Sequence, residues 1–141
     1  MKLPVVVPVI VDTGPLVAML VVRDQHHRWA KEVLETIEPP LLTCEAVISE
    51  ACFLVSRLAG GRDAVLSLLA KGIVKTAFSL APEIERVRRL MQRYASVPMS
   101  LADACLVRML ETHSARSILT LDGDFQIYRG NGRQILSVIS P

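Results

Sequence analysis

Aromatic residues are scarce in this chain. Three Phe, two Tyr and one Trp amount to 4% of 141 residues. A platform that reads bases mainly by stacking them on rings has little to build on here. Cysteine is equally sparse. Cys44, Cys52 and Cys105 are odd in number, form no CxxC spacing and sit among apolar neighbours. They read as buried free thiols in a reducing cytosol, not as a disulfide framework. His26, His27 and His113 add no zinc-like spacing. Repeats, low-complexity tracts and long linkers are absent. So are a glycine-rich phosphate loop and a GxSxG elbow, which disfavours NTPases and serine hydrolases.

An excess of one charge is also missing. Sixteen Lys and Arg face fourteen Asp and Glu, a formal net charge of +2. An uninterrupted membrane-length apolar run is missing too. The stretch from Val5 to Val22 comes nearest, but Pro8, Asp12, Gly14 and Pro15 break it. An Asp at that depth in a bilayer costs about 2.5–3.5 kcal/mol. No small-residue cleavage site follows. The expectation is a cytoplasmic protein with no membrane span.

What is present is a core. Hydrophobic residues make up 51% and charged residues 21%, which suits one packed domain over residues 1–141. The β-branched run Val5–Val11 reads as a buried parallel strand, with Pro8 discordant. Gly14-Pro15 opens a short helix. A helix is expected over Asp24–Glu38, stopped by Pro39-Pro40. Leu41–Thr43 reads as a strand. Glu45–Leu58 and Arg62–Ala70 read as a two-helix excursion divided by Gly60-Gly61, and Ile73–Ala77 as another strand. Pro82 leads an Arg-rich helix, Glu83–Ala95. Ser100 starts a helix running to about His113. Ser117–Leu121 and Ile135–Ile139 are expected strands, and Asp124–Tyr128 a helical turn between them. Strands alternating with helices predict an α/β fold with a mostly parallel sheet.

Four acids stand out against this pattern. Asp12 and Asp122 each end an apolar strand, where α/β folds bind ligands. Glu50 and Asp103 lie within apolar helical patterns. The helical neighbours of Glu50 are Ala46, Val47, Phe53 and Leu54, so it points with apolar residues or sits at a solvated edge. Asp103 has Leu106 and Val107 beside it, yet it also stands at the third position after Ser100, where an acid favours the helix dipole. Asp12 reads equally as a turn residue. Asp122-Gly is a strong turn signal, and Asp124 is an alternative to Asp122. Buried carboxylates need partners, and no Lys lies near these four. Carboxylates without His or Cys suit a hard divalent cation, Mg²⁺ or Mn²⁺. Such a centre suits phosphodiester hydrolysis. Thr13, Ser100 and Thr120 are hydroxyls close by, fit to orient ligands or to cap turns. With four acids tied up, ten remain against 16 basic residues, most of them Arg. Arg86, Arg88, Arg89 and Arg93 share one helix, as a track for phosphates or as a solvated face.

The stretches VIVDTGPLVAML, RDQHHRWA, PLLTCEAVISEACFL, SLADACLVRMLE and ILTLDGDF resemble the PIN-domain ribonucleases. Within that family they are similar to the VapC-type toxins of toxin–antitoxin pairs. The resemblance spans essentially the whole chain and preserves the order and spacing of the acids. It implies an α/β/α sandwich around a parallel sheet. It also implies Mg²⁺- or Mn²⁺-dependent cleavage of single-stranded RNA, leaving a 5′-phosphate and a 3′-hydroxyl. By position, Asp12 and Asp103 resemble the principal metal ligands, and Glu50 and Asp122 the other acids of the quartet. Asp124 matches a fifth acid, and Thr120 the hydroxyl before the last acids. The His26-His27 pair matches a pattern common in one branch, and a packing or capping role is expected for it. The resemblance further implies a homodimer and a small antitoxin protein, for which the excursion Glu45–Ala70 is a candidate contact. Two other readings remain: a non-catalytic interaction module around a structural cation, and a nuclease of the same fold that acts on DNA flaps or in ribosomal RNA processing.

Overall fold

Short apolar runs pair here into one sheet with parallel neighbours. The computed structural model describes residues 8–113 and 116–141. Strand β1 (Ile10–Val11) lies at the centre. β2 (Leu41–Thr43) and β3 (Val74–Thr76) extend one side, and β4 (Ile118–Leu119) and β5 (Val138–Ile139) the other, in the order β3-β2-β1-β4-β5. All four strand pairs of this sheet are parallel, with Ile10 facing Leu42 on one flank and Ile118 on the other. The three inner strands are buried at every residue. A strand covered on both faces must be apolar throughout, which is why these runs lack alternation. The edge strand β3 instead turns Lys75 to solvent, and a charge there blunts edge-to-edge pairing. The expected α/β architecture is observed.

Six helices connect the strands: α1 (Thr13–Leu20), α2 (His27–Glu35), α3 (Glu45–Leu54), α4 (Gly61–Ala70), α5 (Ile84–Arg93) and α6 (Leu101–Thr112). Helix α1 packs against α2, α3 and α4, while α5 packs against α6. The chain winds outward from β1 to β3, then returns to lay β4 beside β1. The connections on the two sides of β1 therefore diverge. The crevice between the carboxyl ends of β1 and β4 is the topological switch point of the sheet. No described helix is long and apolar enough to cross a membrane.

Several elements are shorter than the sequence suggests. Among the described residues of the run Val5–Val11, the strand comprises Ile10 and Val11; Val5–Val7 lie outside the described residues. Ile135 forms an isolated antiparallel bridge with Arg129 instead of extending β5. Asp24 caps a turn before α2, accepting from His26 N at 2.8 Å, so the helix starts at His27. His27 packs as expected, its Nδ1 2.7 Å from the carbonyl of Ala18 in α1, while His26 stands at the N-cap with no side-chain cap bond. Helix α3 ends at Leu54 and passes through turns into Gly60, whose φ is +69°. A Cβ on Gly61 would meet the carbonyl oxygen of Val55 at 2.3 Å. That pair of glycines is thus required for the tight return into α4.

The α5–α6 contact is partly ionic. Glu111 of α6 is fully buried at its side chain and accepts two bonds from Arg86 of α5, one of them from Nε at 3.1 Å. Arg108 Nε reaches Glu83 Oε2 at 2.6 Å, just before α5. Arg86 is therefore committed to Glu111 and is no part of a phosphate track. Arg88 pairs with Glu85, Arg89 bonds the Glu85 carbonyl, and Arg93 lies over the Tyr94 ring. The other three arginines are thus also tied to their own helix. Removing one partner of a buried pair strands the other charge, at a cost of about 3 kcal/mol. Arg86→Met is expected to lower stability by about that amount in urea unfolding. A loss below about 1 kcal/mol would show that Arg108 alone can compensate Glu111.

Candidate active site

The switch point collects the acids. Asp12 follows β1 directly and caps α1, its Oδ1 accepting from Thr13 N at 2.7 Å. Its other oxygen, Oδ2, accepts from Thr120 Oγ1 at 2.8 Å, across from the end of β4. The same Thr120 hydroxyl accepts from Asp122 N at 2.9 Å. Asp122 Oδ1 in turn accepts from Asp124 N at 2.9 Å, capping the 3₁₀ turn Gly123–Gln126. On the opposite side, Thr13 Oγ1 donates to Glu50 Oε2 of α3 at 2.9 Å. Glu50, Thr13, Asp12, Thr120, Asp122 and Asp124 thus form one hydrogen-bonded chain across three segments.

Asp103 approaches from α6. Ser100 caps that helix, its Oγ accepting from Asp103 N at 3.0 Å, so the carboxyl sits one turn in and faces the sheet. Asp103 Oδ2 accepts from the Tyr128 hydroxyl at 2.8 Å. One carboxylate oxygen from each of Asp103, Asp122 and Asp124 lies within 4.8 Å of the others. Asp12, Glu50, Asp103 and Asp122 line one open cleft of about 270 Å³, together with Thr13, Gly14, Leu54 and Leu121. Gly14 lets Leu121 pack close beside it in the cleft: a Cβ there would press on Leu121 at 3.2 Å.

The four acids divide by burial, and for Glu50 the solvated-edge alternative holds. Asp12 and Asp103 are 7% and 9% exposed. Glu50 and Asp122 are exposed and Asp124 is half-buried. The apolar neighbours of Glu50 do not signal burial, because Phe53 and Leu54 are themselves exposed, at 76% and 54%. They form a surface face bordering the cleft, not a core face. Cys44 and Cys105 are buried free thiols as expected, but Cys52 is only half-buried.

Electrostatics sharpen the site. Burial, helped by the nearby Asp103 and Glu50 carboxylates, pushes Asp12 up to about 6 against hydrogen bonds from Thr13 and Thr120. Burial also raises Asp103, partly offset by the Tyr128 hydroxyl, with Asp122 adding to the rise. Tyr128 is itself raised, by burial and by its bond to Asp103, so its phenol stays protonated as a donor. Among the described residues, the basic side chains in ion pairs go to Glu32, Glu83, Glu85 and Glu111. None reaches an acid of the cleft.

Tyr128 is the residue that sequence reading missed. It is fully buried, and a buried phenol must find an acceptor. That requirement was the available signal.

Residues 9–131 match the PIN domain model. The chain belongs to the PIN-domain family. The expected likeness to the VapC branch is also borne out. This PIN-domain chain is 31% identical over 115 residues to Ribonuclease VapC26 of Mycobacterium tuberculosis, covering 80% of this chain and 85% of that protein. Its fold is similar to the crystal structure of M. tuberculosis VapC20, described as a sarcin–ricin loop cleaving toxin. There the TM-score is 0.75 at 23% identity, over 84% of this chain and 93% of that one.

The Asp12 shift has a consequence for the metal-free PIN domain. An acid raised on folding binds its proton more tightly in the native chain than in the unfolded one. Stability therefore falls as pH rises from the ordinary 3.8 to about 6, and stays low above that. Two pH units correspond to on the order of 3 kcal/mol. In EDTA at about pH 7.5, Asp12→Asn is expected to exceed wild type by ~1–3 kcal/mol in urea unfolding, and to lose that advantage near pH 4. A variant weaker than wild type at neutral pH would contradict an ionised, desolvated Asp12.

Proposed function

We propose that this chain is a divalent-metal-dependent endoribonuclease that hydrolyses phosphodiester bonds in single-stranded RNA, and that it is the toxin of a toxin–antitoxin pair. The observation that carries this reading is the convergence of Asp12, Glu50, Asp103 and Asp122 on one cleft at the switch point, with Asp124 beside them and no Arg or Lys described in an ion pair with any of them. Like charges gathered without a protein cation call for a bound one. The donor set is carboxylate oxygen only, which fits Mg²⁺ or Mn²⁺.

In this reading Asp12 and Asp103 are the principal ligands, and Glu50, Asp122 and Asp124 complete the acid set directly or through water. The chemistry that the cation supplies when bound is activation of a water and neutralisation of charge on the phosphate. The side chains do the rest. Thr120 and the Thr13 amide fix both oxygens of Asp12, while the Thr13 hydroxyl orients Glu50. Glu50 and Asp122, the exposed pair, flank the open side through which a phosphodiester enters and are suited to holding the attacking water. The cleft lining carries no aromatic ring, so grip falls on the sugar–phosphate backbone and not on stacked bases. The expected products are a 5′-phosphate and a 3′-hydroxyl.

The partners in this reading are RNA, a second copy of the chain in a homodimer, and a small antitoxin protein. Support for the antitoxin surface comes from the α3–α4 excursion, where Phe53, Leu54, Leu58 and Leu66 are exposed and Leu54 also lines the cleft. A partner covering this face would also cover the acids. A cytoplasmic location is supported by the three free thiols.

The test is cleavage of an end-labelled RNA pool by antitoxin-free protein with Mg²⁺, Mn²⁺ or EDTA. Wild type is expected to cut with either metal and not in EDTA. Asp12→Asn is expected to lose activity by more than about a hundredfold, beyond what outer-sphere losses produce. Cleavage that survives EDTA or the Asp12 substitution would overturn the reading.

A further inference from the structure

We propose that Tyr128 is a positioning residue of the metal centre: its hydroxyl holds Asp103 Oδ2 and couples helix α6 to the turn that carries Asp122 and Asp124. This inference rests on the metal-dependent reading above.

The three clustered acids come from two unrelated segments. Asp103 stands in α6, while Asp122 and Asp124 belong to the turn after β4. Tyr128 lies four residues beyond Asp124, and its bond to Asp103 spans 25 positions of sequence at 2.8 Å. It is the described side-chain hydrogen bond that joins these two segments at the cleft.

The ring that carries this hydroxyl is held firmly. Tyr128 and Phe125 are both fully buried and meet edge to face, with centroids 5.3 Å apart. Tyr94, just past α5, packs on the other side at 5.0 Å. Tyr94 is fixed in turn, its hydroxyl accepting from Arg129 N at 2.9 Å. Three of the six aromatic residues in an aromatic-poor chain are therefore spent behind the acid cluster. Packing alone explains the rings but not the Tyr128 hydroxyl, because Phe would fill the same space.

What the hydroxyl adds is direction. A free Asp rotates about two torsions and offers either oxygen. With Oδ2 engaged by Tyr128, Asp103 keeps Oδ1 and its remaining lone pairs for a cation, in one orientation. Groups that orient a ligand in this way commonly change metal affinity by about 10–100-fold when lost. The Tyr128 contact restricts Asp103 just as Thr120 restricts Asp12, from the opposite wall.

The test is Mn²⁺ binding by antitoxin-free protein, read as the free-ion signal in electron paramagnetic resonance, for wild type, Tyr128→Phe and Tyr94→Phe. Tyr128→Phe keeps the ring and is expected to bind Mn²⁺ about tenfold or more weakly. Tyr94→Phe loses a hydroxyl of the same ring cluster but no contact to an acid, and is expected to bind like wild type. In cleavage, the Mn²⁺ midpoint of Tyr128→Phe should move by the same factor, with a much smaller change in rate at saturation. A merely structural hydroxyl would move neither. A second readout does not depend on how Tyr128→Phe folds. The chain has two Tyr, so Tyr94→Phe leaves Tyr128 as its sole tyrosine. Its ultraviolet resonance Raman doublet should shift on Mn²⁺ saturation, as the acceptor carboxylate gives up electron density. Equal Mn²⁺ affinity in Tyr128→Phe and wild type, or an unmoved doublet at saturation, overturns the assignment while leaving the metal reading intact. Failure of wild type to bind Mn²⁺ overturns both.

Discussion

Carboxylates that repel one another, two of them in a poorly solvated crevice, are the constraint around which this molecule is arranged. Burying and assembling them costs free energy, and Asp12 is pushed up to about 6 mainly by burial and in smaller part by Asp103 and Glu50. The fold supplies the opposing terms. The sheet order puts the ends of β1 and β4 side by side, which brings Asp12 to Thr120. Two helix starts, α1 and α6, point toward the crevice and lend partial positive charge to Asp12 and Asp103. Threonine hydroxyls and a tyrosine hydroxyl then take up individual oxygens. Each of these offsets part of the repulsion, and a cation would offset the remainder.

Much of this was legible in the sequence, for local reasons. An inner parallel strand is apolar throughout, so an acid at its end is conspicuous, and Asp12 and Asp122 were found that way. Ser100 three residues before Asp103 announces a helix start, and the structure has that cap. Glu50 could be read as core-facing or as a solvated edge, and the structure places it at the edge, lining the cleft. Helical periodicity reports which residues share a face. It does not report whether that face is covered, and the face of α3 with Phe53 and Leu54 is open. The strands are shorter than their apolar runs because packing can continue past the strand: Val9 packs against the core outside β1 although its carbonyl still accepts from Leu42 N.

The need of Tyr128 for an acceptor could be anticipated, but not that the acceptor would be Asp103, 25 residues away. No spacing rule links a residue in a turn after β4 to the third position of α6. The arginines of α5 could be read as a track for phosphates or as a solvated face. Arg88, Arg89 and Arg93 are exposed, as a solvated face requires, while Arg86 is taken by Glu111. Charge on a helix says nothing about who claims it until the neighbouring helix is known. Here the neighbour is α6, so the ion pair that steadies α5 also steadies the helix bearing Asp103.

The hydrogen bonds running from Asp122 N to Thr120 Oγ1 to Asp12 Oδ2 all point the same way. Each donor polarises the next, so the hydroxyl is a stronger donor to Asp12 than an isolated threonine would be. Both oxygens of Asp12 are pinned, one by this relay and one by the Thr13 amide. In the metal centre proposed above, a carboxylate so held would have little freedom to swing between one-oxygen and two-oxygen coordination. Calcium, with its long bonds and variable shell, draws on that freedom, whereas a small octahedral ion needs one oxygen at one distance. In that proposed centre the threonine relay would act as a size filter, favouring ions that need no adjustment from it.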